Sequence, residues 1–251
     1  MDRRRGRAQN GSYSDGGGIH AWGTTVLAES VVSNNTTGAS GGGLHIGGGL
    51  SATKSTLSGN QAADDGGGAY FYWGGAIAID NCTFSGNHAG RYGGGLGNYN
   101  SDSATLTHVT IANNTASSSG SALDPDTDTV LRNTIVSGTC RTTVVTSQGG
   151  NIESPGDNCG LDSPSDQVAV SAQQLSLGAL ANNGGPTQTH LPGGTSWALN
   201  TASATYCLSD DQRGLARPQG TGCDVGAVEY SMIAGLIFSD GFESGGFGAW
   251  D

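Results

Sequence analysis

Between residues 10 and 139 the chain sets a polar residue at a near-constant interval. Asn10, Asn35, Asn60, Asn87, Asn114 and Thr139 are separated by 25, 25, 27, 27 and 25 residues. Apolar residues keep the same interval. Three places before the polar position stand Val32, Leu57, Phe84, Ile111 and Val136, and eight before it stand Leu27, Ala52, Ile79, Leu106 and Leu131. Nine places after it stand Ile19, Leu44, Ala69, Leu96 and Leu123. A period in this range belongs to a solenoid, whose units bury their apolar surface only against their neighbours. Three inward columns divided by polar or glycine corners predict three short strands per turn, with side chains of one column about 4.8 Å apart.

Composition separates a stacked β-coil from a helical repeat. Glycine supplies 45 of 251 residues, and each interior glycine costs a helix roughly 1 kcal/mol relative to alanine. The segments beginning at Gly16, Gly41, Gly66, Gly93 and Gly120 each follow a ladder position by six residues. They mark tight turns that need positive φ or close backbone approach. Asparagines turned inward need partners for their amides, and the same residue one coil away supplies them. The expected fold is all-β, a right-handed parallel β-helix of five to six coils over residues 10–150. Its hand follows from the general rule for parallel crossovers.

Gly74-Gly75-Ala76-Ile77 followed by Phe84-Ser85-Gly86-Asn87 resembles the GGA(I/L/V) and FxxN repeat pair of the chlamydial polymorphic membrane proteins, surface adhesins with β-helical passenger domains. A second resemblance begins at Asn182-Asn183-Gly184-Gly185-Pro186-Thr187-Gln188-Thr189-His190. It continues through Asp211-Gln212-Arg213-Gly214-Leu215-Ala216-Arg217-Pro218-Gln219-Gly220 and Cys223-Asp224-Val225-Gly226-Ala227-Val228-Glu229. This run is similar to the bacterial choice-of-anchor Q domain, which caps β-helical surface proteins. Leu191-Pro192-Gly193-Gly194-Thr195-Ser196-Trp197 departs from that family's usual LLPGSPAID. The resemblances imply a pectin-lyase-like solenoid with an irregular, disulfide-stabilised C-terminal cap at residues 151–230, on the outer surface of a Gram-negative bacterium or outside it. Residues 1–9 form a basic leader and residues 231–251 a tail. In that tail Ile237-Phe238-Ser239-Asp240-Gly241-Phe242-Glu243-Ser244-Gly245 resembles a DGFESG segment found at the ends of secreted gammaproteobacterial proteins.

Charge narrows the choice of partners. The net charge is −11, although Arg3, Arg4, Arg5 and Arg7 supply four of the ten basic residues. Nucleic acid, a polyanion, is excluded as an expected partner. No apolar run approaches the roughly 20 residues of a membrane-spanning helix, Met232–Phe238 being far shorter. No apolar stretch follows the basic leader, so it does not read as a secretory signal, and because the coils begin already in progress at Asn10 a truncated start, with earlier coils and a signal peptide lost, is expected. A monomer is expected.

Five cysteines suit an oxidising compartment. Cys207 and Cys223 bracket the C-terminal loop of the resembled family, and Cys140 and Cys159 bracket the exit from the last coil. Two disulfides, Cys140–Cys159 and Cys207–Cys223, are therefore expected, and their spacing does not suit zinc. Cys82 falls five places before the ladder in a column reading Ser30, Ser55, Cys82, Val109 and Thr134, which makes it a buried packing thiol.

The same ruler locates the chemistry. Ten residues after the ladder the column reads His20, His45, Tyr70, Gly97 and Asp124; twelve after, it reads Trp22, Gly47, Tyr72, Tyr99 and Asp126. Both columns alternate with the inward one, so both point outward in a single exposed strip. The extra residues of the two longer coils fall beside it, at residues 70–76 and 97–104. Aromatic side chains with His20, His45, Asp124 and Asp126 suit stacking on pyranose rings of an extracellular polysaccharide or host glycan. The alternative is a ladder that only stabilises the sheet. No catalysis is expected: a lyase needs Arg or Lys beside clustered carboxylates, and the strip offers neither. Asp15 and Asp65, two coils apart, are a weak candidate for a glycosidase pair. No metal site is expected at His20 and His45, and no cofactor, although Asp124-Pro125-Asp126-Thr127-Asp128 offers oxygens to Ca²⁺. The first expectation is a surface adhesion or structural module; a pectin-lyase-like lyase or glycoside hydrolase is second, and a passive spacer third.

Overall fold

A computed structural model describes residues 15–141 and 145–231. Asn10, the basic leader and the Ile237–Gly245 segment lie outside these residues. The chain winds as a right-handed parallel β-helix of about five turns. The first sheet stacks Ile19–Ala21, Leu44–Ile46, Ala69–Phe71, Leu96–Asn98 and Leu123–Pro125. The second stacks Thr25–Ala28, Leu50–Thr53, Ala76–Asp80, Ser103–Thr107, Thr129–Arg132 and Val145–Ser147. The third stacks Val31–Ser33, Thr56–Ser58, Thr83–Ser85, Thr110–Ala112, Ile135–Ser137 and Ile152–Ser154. A fourth ladder corrects the expectation of three strands per turn. It comprises the two-residue strands Thr36–Thr37, Gln61–Ala62, His88–Ala89 and Thr115–Ala116, whose backbone groups pair between coils and whose buried members Thr37, Ala62 and Ala89 are small.

Strand register follows the sequence interval. Leu44 pairs with Ala69, Ala69 with Leu96 and Leu96 with Leu123, while Leu27, Ala52, Ile79, Leu106 and Leu131 align in the second sheet. The inward side chains of these columns fuse into one apolar core running along the axis. The turn before each first-sheet strand is left-handed, with φ from 67° to 75° at Gly16, Gly41, Gly66, Gly93 and Gly120. A side chain there would be strained, which accounts for glycine at all five.

The asparagine ladder is continuous through four coils. Asn35 Nδ2 donates to Asn60 Oδ1 (2.9 Å), Asn60 Nδ2 to Asn87 Oδ1 (3.0 Å) and Asn87 Nδ2 to Asn114 Oδ1 (2.9 Å). Each acceptor oxygen also takes the backbone N–H of the preceding asparagine. Thr139 does not join it. Its side chain is exposed and bonds Ser121 instead, because the last coil is short: Leu123 pairs with Cys140 and Ile135 with Ile152. The chain there omits the fourth ladder and crosses directly to the first sheet.

Cys82 is fully buried and belongs to a second polar ladder. Ser55 Oγ accepts from Ser30 N, Cys82 Sγ from Ser55 N (3.4 Å), Thr134 Oγ1 from Val109 N and Asn151 Oδ1 from Thr134 N. Disulfides join Cys140 to Cys159 and Cys207 to Cys223. The segment expected only to cap the stack also runs back along its flank. Gln212 bridges Thr56 and Thr83, Ala227 N donates to Thr110 Oγ1, and His190 Nε2 meets Ser85 Oγ at 2.8 Å. These outward hydroxyls line the third sheet, and the C-terminal segment supplies their partners. Arg217, bonded to Glu229 (2.7 Å) and Asn81 (3.3 Å), is buried in the same seam.

Candidate functional site

The first sheet presents the strip. His20 is paired with His45, His45 with Tyr70, Tyr70 with Gly97 and Gly97 with Asp124, so one outward column crosses five coils. Ring centroids are 4.8 Å apart for His20 and His45, 5.6 Å for His45 and Tyr70, and 6.5 Å for Tyr70 and Tyr99. In the adjoining column Trp22 meets Tyr72 edge-on at 6.4 Å, and Tyr72 stacks on Tyr99 at 5.9 Å with planes 9° apart. Six rings therefore form one contiguous group.

The two columns are not equally exposed, which corrects the expectation of a single exposed strip. In the inner column His45, Tyr70 and Asp124 are 3%, 8% and 5% exposed and only His20, in the first coil, is open to solvent, whereas Trp22, Tyr72 and Tyr99 are 61%, 39% and 51% exposed. The cause is the connection between the first and second sheets, which carries the added residues of the longer coils: Ala69 aligns with Leu44 but Ile77 with Leu50. The lengthened connections carry Tyr72 and Tyr99 over the inner column, and Trp22 covers it from the first coil. Trp73, 63% exposed, follows Tyr72 in the same lengthened connection. The sequence columns passed over it because it sits inside the insertion, where the coil interval assigns no partner.

Glycines in the strip are spaces for rings. A Cβ on Gly47 would stand 2.2 Å from Trp22 Cε3, and one on Gly97 would stand 2.9 Å from Tyr70 Cδ2. Each aromatic side chain leans across the next coil, over a position that must lack a side chain.

At one end of the strip His45 Nε2 lies 3.9 Å from Asp15 Oδ2. Burial lowers the His45 pKa from its ordinary value, offset in part by Asp15 and reinforced by His20. The imidazole is therefore neutral at pH 7, and its Nδ1 is buried without a hydrogen-bond partner. At the other end Arg141 bridges Asp124 and Asp126, with its guanidinium 4.5 Å from the Tyr92 ring centroid. Burial raises the Asp124 pKa, against the opposing effect of Arg141. Asp65 is likewise raised by burial and opposed by Arg91, 3.7 Å away.

Arg141 overturns the expectation that no basic residue stands beside the strip carboxylates. Constant spacing would have placed Gly149 opposite Asp124, but the short last coil brings Arg141 there, 17 residues away. Asp124 and Asp126 hold this guanidinium, and Asp128 accepts from Thr146 Oγ1 (2.7 Å), so each carboxylate of the acidic run already has a partner. Among the described residues no three His, Cys, Asp or Glu side chains are grouped to hold a metal ion. None of the described helices is long and apolar enough to cross a membrane.

The sequence model of the family described as "Right handed beta helix region" matches residues 9–158. No curated protein and no solved structure matches the chain at a significant level.

Proposed function

The chain belongs to the right-handed β-helix family, and from that membership we propose that it is a non-catalytic, surface-exposed adhesion or structural module that binds polysaccharide along the aromatic strip. One observation carries this reading: Trp22, Tyr72 and Tyr99 stand together in ring contact, each more than a third exposed. Exposed aromatics of this kind suit the apolar faces of pyranose rings, with hydroxyls bonded around them. The resemblances to choice-of-anchor Q domains and chlamydial polymorphic membrane proteins support a location at or beyond the outer membrane of a Gram-negative bacterium. Disulfides at both ends of the C-terminal segment agree with an oxidising compartment. A glycan on a cell surface or in its matrix is the partner, and the module acts as a monomer.

A glycan array run with wild type and a Trp22→Ala/Tyr72→Ala/Tyr99→Ala variant tests the proposal. Binding by the wild type alone, with matching melting curves, supports it; equal binding or equal silence refutes it.

A second reading has one specific observation behind it. Arg141, set between Asp124 and Asp126 at the end of the strip, provides the basic group beside carboxylates that polysaccharide cleavage requires. Appearance of unsaturated or reducing ends from a bound polysaccharide, lost in Arg141→Ala, would favour a lyase or hydrolase.

A further inference from the structure

The charges around the strip narrow the class of glycan, an inference that rests on the strip binding glycan at all. Among the described residues Asp15, Asp65, Asp124 and Asp126 stand at the strip and Asp102 is tied to the connection that bears Tyr72, against the two guanidiniums of Arg91 and Arg141. Both guanidiniums are already engaged, by Asp65 in one case and by Asp124 and Asp126 in the other. Among the described residues no guanidinium or ammonium is paired with Asp15 or Asp102. Asp15 is 41% exposed and its basic neighbour is His45, whose burial favours the neutral ring. Asp102 is exposed and accepts the Gly75 N–H at 2.8 Å, which ties it to the connection that bears Tyr72. An exposed carboxylate thus stands near each end of the ring group. His45, in the inner column, also holds a buried polar atom without a partner, Nδ1. A polyuronate would meet net repulsion along its whole length, whereas a sugar bearing an ammonium group finds a counter-charge at both ends.

We propose that the strip selects polysaccharides of free amino sugars, with Asp15 and Asp102 as the residues that read the ammonium groups and the aromatic rings as the platform beneath the pyranoses.

Matched oligomers of 2-amino-2-deoxyglucose, their N-acetylated counterparts and oligogalacturonate are the probes, titrated against the full chain by calorimetry at low and high salt. Two exposed ion pairs correspond to about five- to tenfold in affinity. The amino oligomer is expected to bind tighter than the N-acetylated one by that factor, and salt should erase the difference. Asp15→Asn/Asp102→Asn should remove the preference, since each asparagine keeps an acceptor oxygen for the local backbone. Asp157→Asn/Asp162→Asn, at exposed positions in the C-terminal segment, changes the net charge equally and should leave it intact. Equal affinity for the two oligomers, a preference surviving Asp15→Asn/Asp102→Asn, an equal loss in the Asp157→Asn/Asp162→Asn control, or tighter binding of oligogalacturonate each overturns the amino-sugar assignment while glycan binding stands. If no oligomer binds, and a wider glycan array is silent too, both readings fall.

Discussion

Gly47 lies directly beneath the Trp22 indole: a Cβ added to it would sit 2.2 Å from Trp22 Cε3. The glycine is a recess one coil away that lets the ring lie across the sheet beside His45 and Tyr72.

Gly47→Ala should therefore displace Trp22 without unfolding the solenoid. Indole fluorescence is expected to shift and glycan affinity to fall about as far as in Trp22→Ala, while the melting temperature changes little. An unaltered spectrum with unaltered binding would separate Trp22 from the site.

Asn87→Ala removes the oxygen that accepts both Asn60 N and Asn60 Nδ2, and the amide that donates to Leu57 O. Buried groups left unpaired cost about 1–3 kcal/mol each, so a loss of about 3 kcal/mol or more is expected in denaturant unfolding. Thr139→Ala, at the exposed end of the same column, should cost less than about 0.5 kcal/mol.

Burial pushes the Cys82 thiol up to about 12, and the thiol is enclosed by the core. Iodoacetamide should leave it unmodified in the native protein and label it only after unfolding, as mass spectrometry would record. Cys82→Ser, which matches Ser30 and Ser55 in its own ladder, should fold with a loss of about 1 kcal/mol or less, because a hydroxyl accepts the Ser55 N–H as the sulfur does.

His108 gives the fold a sensitivity to acid. Burial, with Arg217 nearby, pushes its imidazole down to about 3. The neutral ring suits its contacts, with Nδ1 3.2 Å from Gly226 O and Nε2 3.0 Å from Asn133 Nδ2. Below the ordinary histidine value of about 6.5 the unfolded chain takes up a proton that the native ring refuses, so stability is lost as pH falls from about 6.5 toward 3. Between pH 7.5 and 5 this amounts to about 2 kcal/mol. The unfolding free energy from urea titration should drop by that much more for wild type than for His108→Gln, and parallel drops would remove His108 as the cause.

Reduction should act through both ends of the C-terminal segment. Cys140–Cys159 and Cys207–Cys223 close loops with separations of 19 and 16 residues, each worth about 3 kcal/mol in chain entropy. Dithiothreitol is expected to lower the melting temperature and to loosen the flank contacts of Gln212 and His190, read as faster amide exchange there.

The coil, its core columns, the asparagine ladder from Asn35 to Asn114, the burial of Cys82 and the alignment of His20, His45 and Tyr70 were all legible in the amino-acid order. All of these repeat at a constant interval, and parallel pairing turns equal spacing in sequence into adjacency in space. Tertiary structure set what the interval does not measure. The shortened last coil broke the count, turning Thr139 outward and carrying Arg141 to Asp124. The lengthened connections placed Tyr72 and Tyr99 over the inner rings, and Gly47 acquired its meaning only once Trp22 lay across it. The C-terminal segment found the hydroxyls of Thr56, Thr83 and Thr110 through contacts more than 100 residues apart. Those partners were set by the need to satisfy buried polar groups, a condition that exists only after the coils have stacked.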